Sequence, residues 1–421
     1  MSPRSLFALA LAFAFALLLS ACGAQRVSPD TQGVSLTPGA CGRGLVVVES
    51  DYQSSNVSLL GFDGRVLSES LASSSTQGSG FGVGLSGDVV PPWSPQLGAN
   101  LPLIDRYPAG VLRFIEIATA NVVSELPVGT GFRANPQDYL ALDEHRAYVA
   151  RYESNPNAGR EQWDQGGDVL IVDPSASAIT GRIDLTPAMA GELTRFTPHP
   201  ARLLEVAGRV FVLLASYADD YSAGTSSRLV ELDPNTDAIV STLVFDGLRG
   251  CDALAVSPDR SELAVACTGD DLSDAIPAID HAGLVLVDLT TTPSEKQRFP
   301  ARTWGRDPLG FALDYVAPGV LLLTTLGHFD ESGAVAALDT LWRLDTASGQ
   351  SAAILQSERT PFTLGAIRCA PTCSVCFAAD AERAGGSVLR FEVDSQAALG
   401  APDAIVVESR VGLPPRYLSV F

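Results

Sequence analysis

The stretch RLVELDPNTDAIVSTLVF, residues 228–245, holds two apolar runs separated by an acidic residue and a polar turn. The first run, from Leu229 to Leu232, leads to Asp233, and the second run begins at Ala238. Apolar and β-branched residues at this spacing predict strands, while Asp, Pro and Asn supply turn chemistry. We therefore interpret the stretch as a β-hairpin.

The same pattern occurs seven times along the chain. Each copy has an apolar run that reaches an acidic residue, then a polar turn, then a second apolar run. The acidic residues lie 49 to 60 positions apart. They are Asp63, Glu116, Asp173, Asp233, Asp288, Asp345 and Asp394. Such self-similarity indicates an architecture that is built from equivalent units.

A second two-strand unit precedes the copies, for example in QDYLALDEHRAYVARY (137–152) and ARLLEVAGRVFVLLAS (201–216). Each block then contains four short strands. Seven four-stranded units are typical of a β-propeller, whose blades bury their faces against one another. The predicted fold class is therefore all-β, a seven-bladed β-propeller over residues 41–421. A pair of β-sandwiches is the alternative, but sandwiches do not predict a sevenfold repeat.

The two ends of the repeat region do not match whole blades. The first block begins at Gly44 with GLVVVES, which resembles the second strand of a blade. The C-terminus carries a surplus strand, PPRYLSVF, at 414–421. We expect this strand to pair with residues 44–49, so that both ends of the chain complete the first blade and leave no unpaired sheet edge there.

One hairpin also carries a family resemblance. ALAVSPDRSELAVACTG (253–269), followed by GLVLVDLTT (283–291), is similar to the YVTN-type propeller repeat of bacterial surface and periplasmic proteins. The whole chain resembles an uncharacterised group of bacterial propeller lipoproteins. The resemblance implies the fold and an envelope location, but its motifs are structural and imply no catalytic residue.

The N-terminus has the pattern of an export signal. Arg4 precedes an unbroken apolar run of 14 residues, from Leu6 to Leu19. A membrane-spanning helix needs about 20 residues, so the run predicts the core of a signal peptide.

The residues after this run, LSACG at 19–23, resemble the bacterial lipobox. The resemblance implies cleavage before Cys22 and a diacylglycerol on its thiol. An ordinary signal peptide with an incidental Cys22 is the alternative. The predicted organisation is a signal peptide at 1–21, a lipidated flexible tether at 22–40 and the propeller. Because Gly23 replaces the aspartate that retains some lipoproteins at the inner membrane, the outer membrane is favoured.

Six cysteines remain besides Cys22, and an even number in an exported chain predicts three disulfides. In the hairpin 251–269, pairing Leu254 with Ala264 sets Cys251 opposite Cys267. Directly opposed residues are close enough for a bridge after small adjustment. We expect this disulfide to join the two inner strands of one blade.

The other four cysteines lie where the ring is expected to close. We expect Cys41 to bridge to Cys373 or Cys376, and the remaining two of Cys369, Cys373 and Cys376 to pair locally. The CxxC spacing at 373–376 is also half of a zinc motif. No second CxxC and no nearby histidine completes four ligands, so no metal site is predicted.

Charge excludes one class of partner. The chain has 48 acidic and 28 basic residues, a formal net charge of −20, which argues against binding to nucleic acid. Acidic loops occur near Asp219, Asp270 and Asp330. Dense carboxylates are typical calcium ligands, but none of these loops has EF-hand spacing. We therefore predict no cofactor, with calcium as the alternative.

Polar residues that enter the inner strands are the candidate ligand-binding residues, because inner strands surround the central channel. They are Asp88, Asn135, Asp138, His199, Asp252, Arg368 and Arg416. If these residues line one mouth of the channel, we expect them to bind a small polar ligand. Alternatively they hold the blades in register through hydrogen bonds, since buried polar groups need partners.

The sequence has no Gly-x-Ser-x-Gly elbow, no P-loop and no paired histidines. We therefore expect a binding or scaffold module in the bacterial cell envelope. It would be attached to the membrane by its N-terminal lipid and would present loops to an envelope protein or polymer. The alternative is a propeller enzyme, lactonase-like or quinoprotein-like, with its active site at the channel mouth.

Overall fold

The computed structural model describes residues 34, 37–76, 84–96, 98–269, 278–305 and 307–421. Within these residues the chain forms seven four-stranded antiparallel sheets, which are the blades of a β-propeller. The predicted fold class is confirmed. The predicted signal peptide, the lipidation site Cys22 and most of the tether lie outside the described residues.

Each blade runs from the central channel outwards through strands a, b, c and d. Blade 1 consists of Pro415–Val420, Leu45–Ser50, Ser55–Leu60 and Val66–Ser73. Blade 2 consists of Asp88–Val90, Asn100–Tyr107, Val111–Glu116 and Asn121–Pro127. Blade 3 consists of Pro136–Ala141, Ala147–Ser154, Gly166–Asp173 and Ala178–Asp184. Blade 4 consists of Pro200–Val206, Arg209–Leu214, Arg228–Asp233 and Ala238–Val244.

The last three blades follow the same order. Blade 5 consists of Cys251–Val256, Glu262–Cys267, Gly283–Asp288 and Ser294–Pro300. Blade 6 consists of Leu309–Ala317, Val320–Thr325, Thr340–Asp345 and Ser351–Gln356. Blade 7 consists of Leu364–Ala370, Val375–Asp380, Ser387–Glu392 and Asp403–Ile405.

Short elements lie in the connections. Two small sheets pair Phe196–Thr197 with Tyr217–Ala218 and His328–Phe329 with Val335–Ala337. The 3-10 turns are Thr186–Met189, Ala278–His281, Ala301–Trp304, Pro371–Cys373 and Arg383–Gly385. Among the described residues, no helix is long and apolar enough to cross a membrane.

Burial explains the two kinds of strand pattern. Every residue of Leu45–Ser50, strand b of blade 1, is buried. In contrast, Ala238–Val244, strand d of blade 4, alternates between exposed and half-buried residues. Inner strands are covered on both faces by neighbouring blades and so need continuous apolar runs, whereas an outer strand contacts water along one face.

The repeated acidic residue shapes the turn between strands c and d. The Asp233 carboxylate accepts the backbone N–H of Asn235 at 2.9 Å and the hydroxyl of Thr236 at 2.9 Å. These hydrogen bonds lower the pKa of Asp233. The carboxylates of Asp173, Asp288 and Asp345 accept turn N–H groups in the same way. Asp63 and Asp394 also accept turn N–H groups, so six of the seven repeated acidic residues form Asx turns, and Glu116 is the exception.

The ring closes as the sequence predicts. Strand Pro415–Val420 pairs antiparallel with Leu45–Ser50, with Leu45 opposite Val420 and Val48 opposite Tyr417. The closing strand also packs beside the inner strand of blade 7. The N-terminal part of blade 1 and the C-terminal strand thus form one sheet.

Three disulfides are present among the described residues. Cys251–Cys267 staples the inner strands of blade 5. Its register differs in one detail from the expected one, because Leu254 pairs with Val265 rather than Ala264. A β-bulge between Cys251 and Ala253 absorbs the difference and restores the cysteines to opposite positions.

The other two bridges lie at the closure. Cys41 is joined to Cys373 over a sequence separation of 332 residues, and this bridge ties blade 1 to blade 7. Cys369 is joined to Cys376 within blade 7, over a separation of 7 residues. Of the two bridges that the sequence leaves open for Cys41, the structure has the one to Cys373.

We predict that the seam bridge contributes more stability than the local one. In the chain-entropy model, a crosslink over the longer loop is worth roughly 5–6 kcal/mol, against roughly 2–3 kcal/mol for the shorter loop. The Cys41→Ala/Cys373→Ala variant should therefore unfold at a lower urea concentration than Cys369→Ala/Cys376→Ala. Equal midpoints, or a larger loss for the local pair, would contradict this.

Candidate functional site

The central channel contains a cavity of about 530 Å³. It opens on the face of the propeller where the inner strands begin. Three aromatic side chains stand at this mouth: Tyr52, Phe311 and Phe362 are 60%, 50% and 52% exposed. The mouth is thus an aromatic rim.

Bulges at the start of the inner strands aim side chains into the cavity. In blades 3, 4 and 5 the ladder between strands a and b skips Gln137, Ala201 and Asp252. In blades 6 and 7 it skips residues 310–312 and 365–366. All these bulges contribute residues to the cavity wall. A bulge re-aims a side chain locally without disturbing the rest of the sheet.

The far end of the channel is closed by residues 91–96, which connect strands a and b of blade 2. The backbone N–H of Trp93 donates to Asp138 of blade 3 at 2.9 Å. On the other side, Arg368 of blade 7 donates to the Trp93 carbonyl at 3.3 Å, and Ser419 of blade 1 donates to the Pro92 carbonyl at 2.6 Å. The segment therefore crosses the channel and forms the cavity floor.

Asp138 holds this floor in place. The residue is fully buried, and its carboxylate accepts the N–H groups of Trp93 (2.9 Å), Tyr139 (2.9 Å) and Leu203 (2.8 Å). Burial raises the pKa of Asp138, while the charge of Arg202 and these hydrogen bonds oppose the rise. One side chain thus joins the floor to blades 3 and 4.

Two guanidinium groups lie against the Trp93 indole. The Cζ atom of Arg368 is 3.6 Å from the ring centroid, and that of Arg202 is 5.3 Å away. Arg368 is 6% exposed. Burial lowers its pKa to about 10, with a further contribution from the charge of Arg202 and an opposing one from Asp314. The floor is therefore cationic and aromatic.

Two more arginines lie in the cavity wall. Arg106 forms an ion pair with Asp88 and donates to Gln137 Oε1 at 2.8 Å. Arg416 donates to the Phe362 carbonyl at 2.8 Å, and its guanidinium lies over the Tyr52 ring at 5.3 Å. Arg416 thus ties the aromatic rim to the closing strand.

The seven candidate residues from the sequence occupy different places. Asp252, Arg368 and Arg416 line the cavity. Asp88 lies behind Arg106, and Asn135 accepts a hydrogen bond from the lining residue Gln137 at 2.8 Å. Asp138 holds the floor. The structure thus brings three of the candidates together in the cavity wall and places three others behind the wall, each in direct contact with a lining residue.

The seventh candidate, His199, is buried among aromatic residues and does not line the cavity. Its ring centroid is 4.7 Å from that of Tyr152 and 5.3 Å from that of Tyr221, and Thr197 Oγ1 lies 2.9 Å from its Nε2. Burial lowers its pKa to about 4. The neutral ring supports Tyr152, which is a lining residue.

Sequence reasoning missed Trp93 and Arg202. Trp93 lies in a connection that has no counterpart in the repeat. The signal available was the doublet Pro91–Pro92 directly after a strand, because proline lacks the N–H that a tight hairpin needs. Arg202 is the third residue of the inner strand of blade 4, and the bulge at Ala201 turns its side chain towards the floor.

The acidic loops form turns where they are described. Asp330 accepts the N–H groups of Ser332 at 2.8 Å and Ala334 at 3.0 Å, and Asp220, next to Asp219, accepts the N–H of Ser222 at 3.0 Å. Residues 270–277 lie outside the described residues. In the part of the chain that is described, no three His, Cys, Asp or Glu side chains are grouped as metal ligands.

No family model matches the chain, and no curated protein matches it in sequence. A putative 6-phosphogluconolactonase from Bacteroides fragilis is 11% identical, with a TM-score of 0.54 over 89% of this chain and 96% of that chain. A protein from Lactobacillus plantarum is 11% identical, with a TM-score of 0.56 over 89% and 98%. The β-propeller domain of Cps50 (Swd1) from Myceliophteria thermophila is 13% identical, with a TM-score of 0.51 over 80% and 93%. These similarities show a shared fold and transfer no activity.

We predict that Asp138→Asn loosens the cavity floor. The amide replaces one acceptor oxygen with a donor group, so it cannot satisfy all three N–H donors that the carboxylate accepts. Hydrogen–deuterium exchange of the 91–96 segment should accelerate by about tenfold or more, since that factor corresponds to the loss of about 1.4 kcal/mol of protection.

Asp314→Asn is the matched control. Asp314 is half-buried on the inner strand of blade 6, and it accepts the N–H groups of Tyr315 and Cys369, both at 2.8 Å. This variant should accelerate exchange in blade 7 and leave residues 91–96 unchanged. Unchanged exchange at 91–96 in Asp138→Asn would show that the floor does not depend on this carboxylate.

Proposed function

We propose that this chain is an exported lipoprotein of the bacterial cell envelope whose propeller is a binding module, with the closed-ended cavity as its binding site. Three disulfides support export, because such bridges persist in oxidising compartments. The lipobox-like residues 19–23 support attachment to the membrane through Cys22. One lipid-bearing residue and a tether would leave the propeller free to meet its ligand.

The closed floor is the observation that carries the binding proposal. A channel that is open at both ends exposes a ligand to water on two sides, whereas a floor buries one end of it. The volume of about 530 Å³ lies within the range of roughly 300–1,000 Å³ that is typical of small-molecule sites. The wall is mainly aliphatic and aromatic, with a few polar groups, as such sites usually are.

The character of the polar groups favours binding over catalysis. Acid–base catalysis needs a group that exchanges a proton near the working pH within reach of the substrate. The lining includes Arg106, Arg202, Arg368 and Arg416, and arginine is not among the usual acid–base catalysts; Asp252 is the carboxylate among the described lining residues. We therefore assign ligand recognition to the cavity rather than to the surface loops.

Ligand-detected NMR with a mixed set of neutral, cationic and anionic aromatic fragments tests the binding proposal. Leu326 is half-buried in the cavity wall near the mouth, so Leu326→Trp should narrow the entrance. Val244→Trp introduces the same side chain at an exposed position on the outer strand of blade 4 and is the control. We expect fragments to bind the wild type and Val244→Trp and to lose binding in Leu326→Trp. Binding that Leu326→Trp leaves intact, or no binding at all, would overturn the proposal.

Lipid attachment has its own test. Expressed in a bacterium with labelled palmitate, the wild type should carry label and fractionate with membranes until detergent is added. Cys22→Ala should lose the label and either remain an uncleaved precursor or become soluble, and Gln25→Ala in the same segment should behave as the wild type. Detergent-dependent, labelled Cys22→Ala would contradict the assignment.

A further inference from the structure

The cavity concentrates positive charge in a chain whose net charge is −20. Among the described lining residues, four arginines stand against the single carboxylate of Asp252. Arg106 is neutralised by Asp88. Arg202, Arg368 and Arg416 donate only to backbone carbonyl oxygens within the described part of the chain. Three cations therefore face the cavity without a carboxylate in contact.

Arg368 is the most deeply buried of these three arginines. It is almost fully buried, and two of its five N–H groups donate, to the carbonyls of Ile367 at 3.1 Å and Trp93 at 3.3 Å. The carboxylates of Asp314 and Asp138 offset its charge from a distance. Their oxygen atoms are already engaged by backbone N–H groups. A buried guanidinium with unused donors is costly unless a further acceptor arrives.

Arg202 adds a second cation at the same place. Its guanidinium lies over the same Trp93 ring, and its buried Nε has no hydrogen-bond partner among the described residues. The two guanidinium charges repel each other, and water screens this repulsion only partly at this site. The fold holds both arginines there through the bulged inner strands of blades 4 and 7.

We propose that the cavity floor binds the oxyanion group of a small organic anion, a carboxylate or a phosphate monoester on a flat apolar body, between Arg368 and Arg202 beside Trp93. This inference rests on the proposed binding function and names its ligand class. The planar guanidinium fork matches the geometry of both oxyanions. An anion would supply the acceptors that these two arginines lack and would relieve their repulsion.

The remainder of the cavity defines the rest of the ligand. Tyr52, Phe311 and Phe362 form the rim above the floor, and their exposed rings provide apolar surface for a flat group. The overall charge of −20 repels an extended polyanion, whose other charges would remain outside the cavity. The geometry therefore favours a small anion over the end of a charged polymer.

Isothermal titration calorimetry with three probes of one shape tests the inference. The probes are 2-naphthoate, 2-naphthyl phosphate and the neutral 2-naphthamide. The wild type should bind at least one anion about tenfold or more tightly than the amide. The anion that binds more tightly identifies the oxyanion group that the site prefers. Charge-assisted bonds to arginine supply this difference.

Arg368→Met and Arg202→Met should each weaken anion binding about tenfold or more and leave the amide unchanged. Arg65→Met removes the same charge from a side chain that is 75% exposed and should bind all probes as the wild type does. Arg202→Met keeps the test decisive if Arg368→Met does not fold, because Arg202 is less buried.

The outcomes separate the two proposals. Equal affinity for anion and amide, or anion binding that neither arginine variant changes, would overturn the oxyanion site while the binding function stands. Failure of all three probes together with failure of the fragment set would overturn both. Anion preference that disappears equally in Arg65→Met would reduce the effect to net charge and would also overturn the site.

Discussion

The structure depends on the rule that a propeller blade must be covered on both faces, so the ring of sheets has to close. Strand Pro415–Val420 satisfies this rule by pairing with Leu45–Ser50, and the bridge between Cys41 and Cys373 holds blades 1 and 7 together. The closing strand also builds the cavity, since Tyr417 lies in its wall and Ser419 binds the floor. The closure and the candidate site are therefore parts of one construction.

The floor and the bulges convert a regular ring into a specific site. Seven identical blades would leave a uniform channel. Here the ladder irregularities at Gln137, Asp252 and their counterparts turn side chains inwards, and the 91–96 segment removes one exit. The resulting cavity is cationic inside an acidic protein, which is the reverse of what the net charge alone would suggest.

The repeat made the fold predictable, and departures from the repeat made the site unpredictable. Asp233 and its counterparts mark each turn because a carboxylate at that position accepts hydrogen bonds from the turn residues, although Glu116 replaces the aspartate in one copy. Trp93 has no counterpart in the other blades, so periodicity gave no signal for it. The bulge beside Cys251 escaped detection because a regular ladder that pairs Leu254 with Ala264 also sets Cys251 opposite Cys267. His199 and Asp138 were found as polar residues at strand entrances, but their burial depends on neighbouring blades that sequence spacing does not describe.

Strand Pro415–Val420 follows all the other described strands in sequence, yet it occupies the innermost place in the first blade. Later blades can assemble from contiguous segments while the chain is still growing. The first sheet, in contrast, lacks its inner strand until the ribosome has passed Val420. The hydrogen bond from Ser419 to the floor and the place of Tyr417 in the cavity wall are also completed only when this strand is added. A product that terminates before Pro415 would therefore keep most of its sheets and have no complete pocket, so the proposed ligand recognition would distinguish chains that contain this strand from chains that lack it.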